Sequence, residues 1–136
     1  MRYFSKLNDS VELPVRATKC SAGYDIRVTE GGIVTPGKTV VFSTGLTVSM
    51  EPDEVLLIYP RSSIGIKRHL MLSNTTGVID SDYTDEIHMA LTNFGDEPQI
   101  IKSGERVAQG IFTKYLVTTD DKTTDERTGG IGSTGR

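Results

Sequence analysis

The sequence predicts an all-β domain, a sandwich or barrel with at most one short helix, on three observations. Apolar residues almost nowhere recur at helical spacing. Short β-branched runs recur instead, divided by glycines, prolines and small polar residues at the intervals of strand connections. The one stretch suited to a helical turn, after Pro60, is brief.

In chain order, strands are expected over 3–7, 24–28, 33–35, 39–42, 46–50 and 55–59, with Pro36-Gly37 and Pro52-Asp53 as turns between them. The helical turn covers 62–68. Further strands are expected over 70–73, 87–93, 99–101 and 108–115. The clearest is 87–93, where Ile87, Met89 and Leu91 alternate with His88, Ala90 and Thr92, the period of a half-buried strand. Val78 and Ile79 form a second short strand, and Ser81, Asp82, Thr84 and Asp85 between the two favour a turn. The stretch 77–93 therefore reads as a β-hairpin with acids at its bend, Asp80 at the end of one strand and Tyr83 beside it.

A chain of 136 residues makes one compact domain, and 36% apolar with 24% charged residues is an ordinary globular composition. Residues 1–116 are expected to form the β domain and 117–136 a flexible C-terminal arm, because apolar periodicity is lost from Thr113 onward. The longest apolar run, 55–59, is too short to span a bilayer, and no signal-peptide core precedes it, so no membrane role and a cytoplasmic location are expected, in a bacterium or, for a viral protein, its host cell. A net charge of −3 argues against stable nucleic-acid binding. Cys20, without a second cysteine, reads as a partly buried structural thiol. Lys67-Arg68-His69 with Arg61 is a candidate phosphate surface, against the commoner alternative of a solvated charged face.

Four other stretches carry chemistry. Ser21-Ala22-Gly23-Tyr24-Asp25-Ile26 permits close backbone approach and then opens a strand with an acid. Pro60-Arg61-Ser62-Ser63 combines a guanidinium, hydroxyls and the start of a helical turn, either a phosphate clamp or a serine-capped turn. Gly104 to Gly110 offers a glycine turn followed by Arg106 and Gln109, donors to anionic oxygens or simply the entry to a core strand. Gly129-Gly130-Ile131-Gly132-Ser133-Thr134-Gly135 is suited to wrapping a phosphate with backbone amides, with a disordered tail as the alternative.

In this order, from Ala22 to Gly135, the five motifs resemble those of the trimeric deoxyuridine triphosphate nucleotidohydrolases, the dUTPases. The resemblance implies a distorted jelly-roll barrel, a homotrimer with sites at subunit interfaces, dUTP as substrate and Mg2+ as cofactor. It further implies that Asp80 is the base toward water attacking the α-phosphorus, that Tyr83 packs on deoxyribose, and that Asn74 with the backbone of Gly77, Val78 and Ile79 reads uracil. Arg61, Ser62, Ser63, Gln109, Arg127, Gly132, Ser133 and Thr134 would hold phosphates, and Asp25 would meet magnesium through water. Ile131 stands where the family usually has a stacking phenylalanine, Arg127 is one residue closer to the glycines than the family pattern, and Thr84-Asp85 replaces a common Arg-Gly. A deoxycytidine triphosphate deaminase would need a glutamate at Ala90. A nucleotide-gated regulatory protein with a protein partner is the alternative of a different class.

Overall fold

The computed structural model describes residues 1–132 and 134–135, so Ser133, among the expected phosphate ligands, lies outside the described residues. The described chain folds into twelve strands and one five-residue helix: β1 (Tyr3–Lys6), β2 (Val15–Arg16), β3 (Tyr24–Arg27), β4 (Gly32–Val34), β5 (Thr39–Ser43), β6 (Leu46–Ser49), β7 (Glu54–Pro60), α1 (Ser62–Ile66), β8 (Leu70–Leu72), β9 (Gly77–Asp80), β10 (His88–Asn93), β11 (Gln99–Ile101) and β12 (Arg106–Lys114). All pairings are antiparallel. Five strands run β2-β3-β12-β7-β9, three run β5-β10-β8, and β1-β6 and β11-β4 form two ribbons. Among the described residues no helix is long and apolar enough to cross a membrane.

Alternation along the strands builds the core. On β10, Met89 and Leu91 are buried while His88 is exposed and Ala90 half-buried, as the period-two pattern requires. Leu56 and Ile58 of β7, Ile26 of β3 and Leu72 of β8 join them in one cluster. Asn93 closes β10 inside this core. Its Nδ2 donates to the carbonyls of Val34 at 2.8 Å and Glu97 at 2.7 Å, while its Oδ1 accepts from Gly95 N–H at 2.9 Å. Asn93→Ala strips partners from these groups and is expected to cost about 2 kcal/mol in urea unfolding; a loss under a few tenths would show that water replaces the amide.

The hairpin expected over 77–93 does not form. β9 pairs with β7, Gly77 opposite Ile58 and Asp80 opposite Val55, whereas β10 lies between β5 and β8. A strand has two hydrogen-bonding edges, and both edges of β10 are already taken. The seven-residue connection 81–87 is also too long for the two-residue turn that would force pairing. The two strands consequently diverge, and β9 is left at the end of its sheet.

Two further departures are local. The serines of α1 do not cap it: the N-cap position is Arg61, without a side-chain cap bond. Cys20 is exposed rather than partly buried, because the 17–22 loop stays outside the sheets.

A β-bulge shapes β12. Arg106 lies opposite Arg27 and Ala108 opposite Ile26, so Val107 is an extra residue. Val107 and Ala108 are consecutive yet both fully buried. The slip of one residue turns Arg106 onto the same face as Asp25 and Gln109, which an unbroken ladder would have denied it.

Candidate functional site

The gap between β9 and β10 is a cavity of about 490 Å³. Its walls are Gly77, Val78, Ile79 and Asp80 on one side and Met89 and Ala90 on the other, with Ile58 and Leu72 between. Since β9 is a sheet edge, its outer side offers alternating N–H and C=O groups with no strand to satisfy them. An edge of that kind suits a flat heterocycle carrying its own alternating carbonyl and N–H groups. Gly77 lets β9 lie close on β7 there: a Cβ would stand 3.1 Å from Ile58 Cβ, a tight contact that the pair would have to relieve by a small shift. Asn74 and Ser73 also reach the cavity, next to Thr75, whose φ of 64° is unusual for a β-branched residue.

Asp80 ends β9 at the mouth, its side chain 52% exposed. Tyr83 is fixed at both ends, its N–H donating to Asp80 O at 3.1 Å and its phenol to Glu86 O at 2.7 Å. Burial, then the charges of Asp85 and Glu86, push the phenol pKa up, so it stays a neutral donor. The C-terminal segment returns over this mouth. Arg127 donates to Asp80 Oδ2 at 2.5 Å and Asp82 Oδ1 at 2.8 Å, with its guanidinium 5.9 Å from the Tyr83 ring centroid. Gly130, Ile131, Gly132 and Thr134 line the cavity as well, and Ile131 remains 86% exposed.

A second cluster forms where β3, β7 and β12 meet the start of α1. Asp25, its side chain 12% exposed, sits between Arg61 Nε at 3.7 Å and Arg106 Nη1 at 3.1 Å. Arg61 also donates through Nη1 to Arg106 O at 3.2 Å, and through its backbone N–H to Val107 O at 3.1 Å. Gln109 lies opposite Asp25 in the ladder and donates to Pro60 O at 3.5 Å. Gly23 makes room for it, since a Cβ there would collide with Gln109 Oε1. Ser62 and Ser63 open α1 beside Arg61.

Ten of the anticipated residues thus meet at one cavity: Asn74, Gly77, Val78, Ile79, Asp80, Tyr83, Arg127, Ile131, Gly132 and Thr134. Asp25, Arg61, Ser62, Ser63 and Gln109 are not among its lining. Arg127, expected on phosphates, lies at the acidic turn in the ligand-free chain. The anticipated basic surface is not one face either, because Arg68 is tied down by Gln99, Glu105 and the Ile100 carbonyl. Sequence reading passed over Val41, Ser73 and His88, which also line the cavity; single residues on or just past a strand carry no chemical signal of their own. Ala90 faces the cavity and supplies no acid for deamination.

Among the described residues no three potential metal ligands cluster. The donor set fits magnesium only as an outer partner. Magnesium keeps several waters and binds readily through phosphates, and the Asp25 carboxylate, with about four acceptor positions, can take a water as well as two guanidiniums.

Residues 9–135 match the family model described as dUTPase. The chain is 43% identical over 136 residues to the deoxyuridine 5'-triphosphate nucleotidohydrolase of Lactococcus lactis subsp. lactis (strain IL1403), covering 94% of this chain and 91% of that one. Among solved structures it is similar to the dUTPase from Streptococcus mutans, with a TM-score of 0.77 and 35% identity over 85% of this chain and 98% of that one. The Staphylococcus bacteriophage 80alpha dUTPase with dUPNHPP shares the fold, with a TM-score of 0.82 at 22% identity, over 100% of this chain and 99% of that one.

Proposed function

The chain belongs to the dUTPase family, and from that membership we propose that it hydrolyses dUTP to dUMP and pyrophosphate, which keeps uracil out of DNA and supplies dUMP. One observation supports this reading above the rest: the open edge of β9 runs along a cavity sized for a nucleoside and ends in a carboxylate beside an aromatic ring. Asn74 and the backbone of Gly77, Val78 and Ile79 read the uracil edge. Tyr83 packs on the deoxyribose and leaves no room for a 2′-hydroxyl. A site that rejects by collision exceeds the roughly 1–3 kcal/mol that a missing methyl provides in a permissive pocket.

Asp80 accepts a proton from water as that water's oxygen bonds to the α-phosphorus. The bridging P–O bond to the β-phosphate breaks, and pyrophosphate leaves with the electron pair. Positioning of water and phosphorus supplies much of the acceleration, so Asp80 need not be strongly basic. Arg61, Ser62, Ser63 and Gln109 grip the phosphates, joined by Gly132, Ser133 and Thr134 from the 117–136 arm. Bound on the triphosphate, magnesium supplies positive charge against the charge building on the leaving group. Asp25 holds Arg61 and would meet that ion through water.

The reading includes the homotrimer that the family resemblance implies, its sites joining the pocket of one subunit to the Asp25–Arg61 cluster of another; that cluster lies outside the lining of the base pocket. Ile131 covers the base without stacking on it. Ile131→Phe is expected to lower KM for dUTP by about two- to tenfold, the worth of an aromatic stack; an unchanged or higher KM counts against the contact. The deciding experiment is pyrophosphate release from dUTP, dTTP, dCTP and UTP, each with magnesium. Turnover confined to dUTP is expected. Comparable turnover of dTTP or UTP would remove the pocket reading, and tight binding of dUTP without turnover would favour a nucleotide-gated regulatory role.

A further inference from the structure

The connection 81–87, which carries Tyr83, is fastened at its downstream end to the turn between β5 and β6. Thr44 is buried in that turn with its hydroxyl both giving and taking: Oγ1 donates to Ile87 O at 2.7 Å and accepts from Leu46 N–H at 3.2 Å. Ile87 N–H in turn donates to Leu46 O at 2.8 Å. The Glu86 side chain adds a further bond, its Oε2 accepting from Gly45 N–H at 3.0 Å.

Gly45 is a firm peg for that bond. Its φ is 69°, a Cβ would stand 2.5 Å from Val11 Cγ2, and its carbonyl takes Leu7 N–H at 2.8 Å, so packing outside the connection aims its N–H. The Glu86 carboxylate is half-buried, and its Oε2 also lies 3.8 Å from Nε2 of His88, which lines the cavity. From Glu86 the chain of bonds continues to the site, because its backbone O accepts from the Tyr83 phenol at 2.7 Å. At the other end Tyr83 N–H is held by Asp80 O at 3.1 Å. The ring therefore stands between two fixed points, the end of β9 and residue 86.

We propose that Glu86 is a positioning residue: by tying its own turn to Gly45 it fixes the carbonyl that holds the Tyr83 phenol, and so sets how closely the ring stands to the 2′ position of a bound nucleotide. A ring rejects an added hydroxyl only while it cannot give way, since a permissive pocket tolerates one. Glu86 touches no substrate in this role and acts through Tyr83 alone. Its purpose rests on the reading of Tyr83 given above, whereas the tie to Gly45 does not.

Calorimetry with the α,β-imido analogues of dUTP and UTP, each with magnesium, measures discrimination without turnover. Glu86→Ala is expected to lower the ratio of the two affinities about three- to tenfold, the scale of one hydrogen bond. Glu86→Gln keeps an acceptor within reach of Gly45 N–H and should hold the ratio within about twofold. Glu86→Asp keeps the charge but is one methylene short, and is expected to follow Glu86→Ala. In ligand-free protein, hydrogen–deuterium exchange over 81–87 should quicken in the Ala and Asp variants and not in the Gln variant, with exchange in β12 unchanged as the measure of an intact fold. Unaltered exchange over 81–87 in Glu86→Ala overturns the tie. Faster exchange with an unchanged ratio, or an equal loss of affinity for both analogues, overturns the positioning role. Wild-type protein that prefers the dUTP analogue yet releases no pyrophosphate from dUTP would overturn hydrolysis alone and leave Glu86 its role.

Discussion

Asp80→Asn is expected to lower kcat for dUTP by about 10²–10⁴-fold, the usual contribution of a general base, while retaining affinity for a non-hydrolysable α,β-imido analogue. The amide keeps the carboxylate's shape and its place at the end of β9 but cannot accept the water's proton. Nothing in the pairing of β9 with β7 depends on the side chain, because Asp80 joins the ladder through its backbone opposite Val55. Binding should hold or improve slightly, since a negative charge is removed near incoming phosphates. The Arg127 ion pair with Asp80 is lost, but its bond to Asp82 remains. Pyrophosphate release measures the first effect and calorimetry with the analogue the second. Wild-type turnover by the variant would take Asp80 out of the mechanism.

Mixing two crippled proteins tests the assembly. Arg61→Ala removes a phosphate donor and leaves Asp25 to Arg106, so on its own it should lose about 10²–10³-fold in kcat, as for other single transition-state donors. Asp80→Asn is crippled for the separate reason above. If every site joins the pocket of one subunit to the Arg61 cluster of another, random mixed trimers made by co-refolding hold about a quarter intact sites and recover about a quarter of wild-type turnover. If each subunit builds its whole site, every subunit in the mixture is defective and no recovery follows. The readout is a gain of activity, so general misfolding cannot imitate it.

The strands were legible in the sequence to the extent that they alternate. Met89 and Leu91 against His88 and Ala90 announced β10, and Pro36-Gly37 and Pro52-Asp53 separated their flanking strands as turns should. Their partners were not legible. Proximity along the chain favoured pairing β9 with β10, yet β5 and β8 hold both edges of β10, and competition for an edge is decided by the whole sheet. Two-residue β2 passes beneath any periodicity test. Of the site, Asp80, Tyr83 and the glycine motif were recognisable because turn chemistry and residue type are local. The place of Arg127 was not, since Asp80 and Asp82 lie 47 and 45 positions away in the chain.

The extra residue in β12 has a bearing on how this chain tolerates insertions and deletions. Upstream of Arg106 the chain makes a turn at Gly104, where φ is 77°, and the turn is fastened just past β3: Gly104 N–H donates to Val28 O at 2.9 Å and Val28 N–H to Glu105 O at 3.0 Å. Downstream, Val107 fills the barrel with its side chain and takes the Arg61 N–H with its carbonyl. Losing that single residue would straighten the ladder yet unfasten Arg61 at the start of α1, so chain length is set on both sides of Arg106.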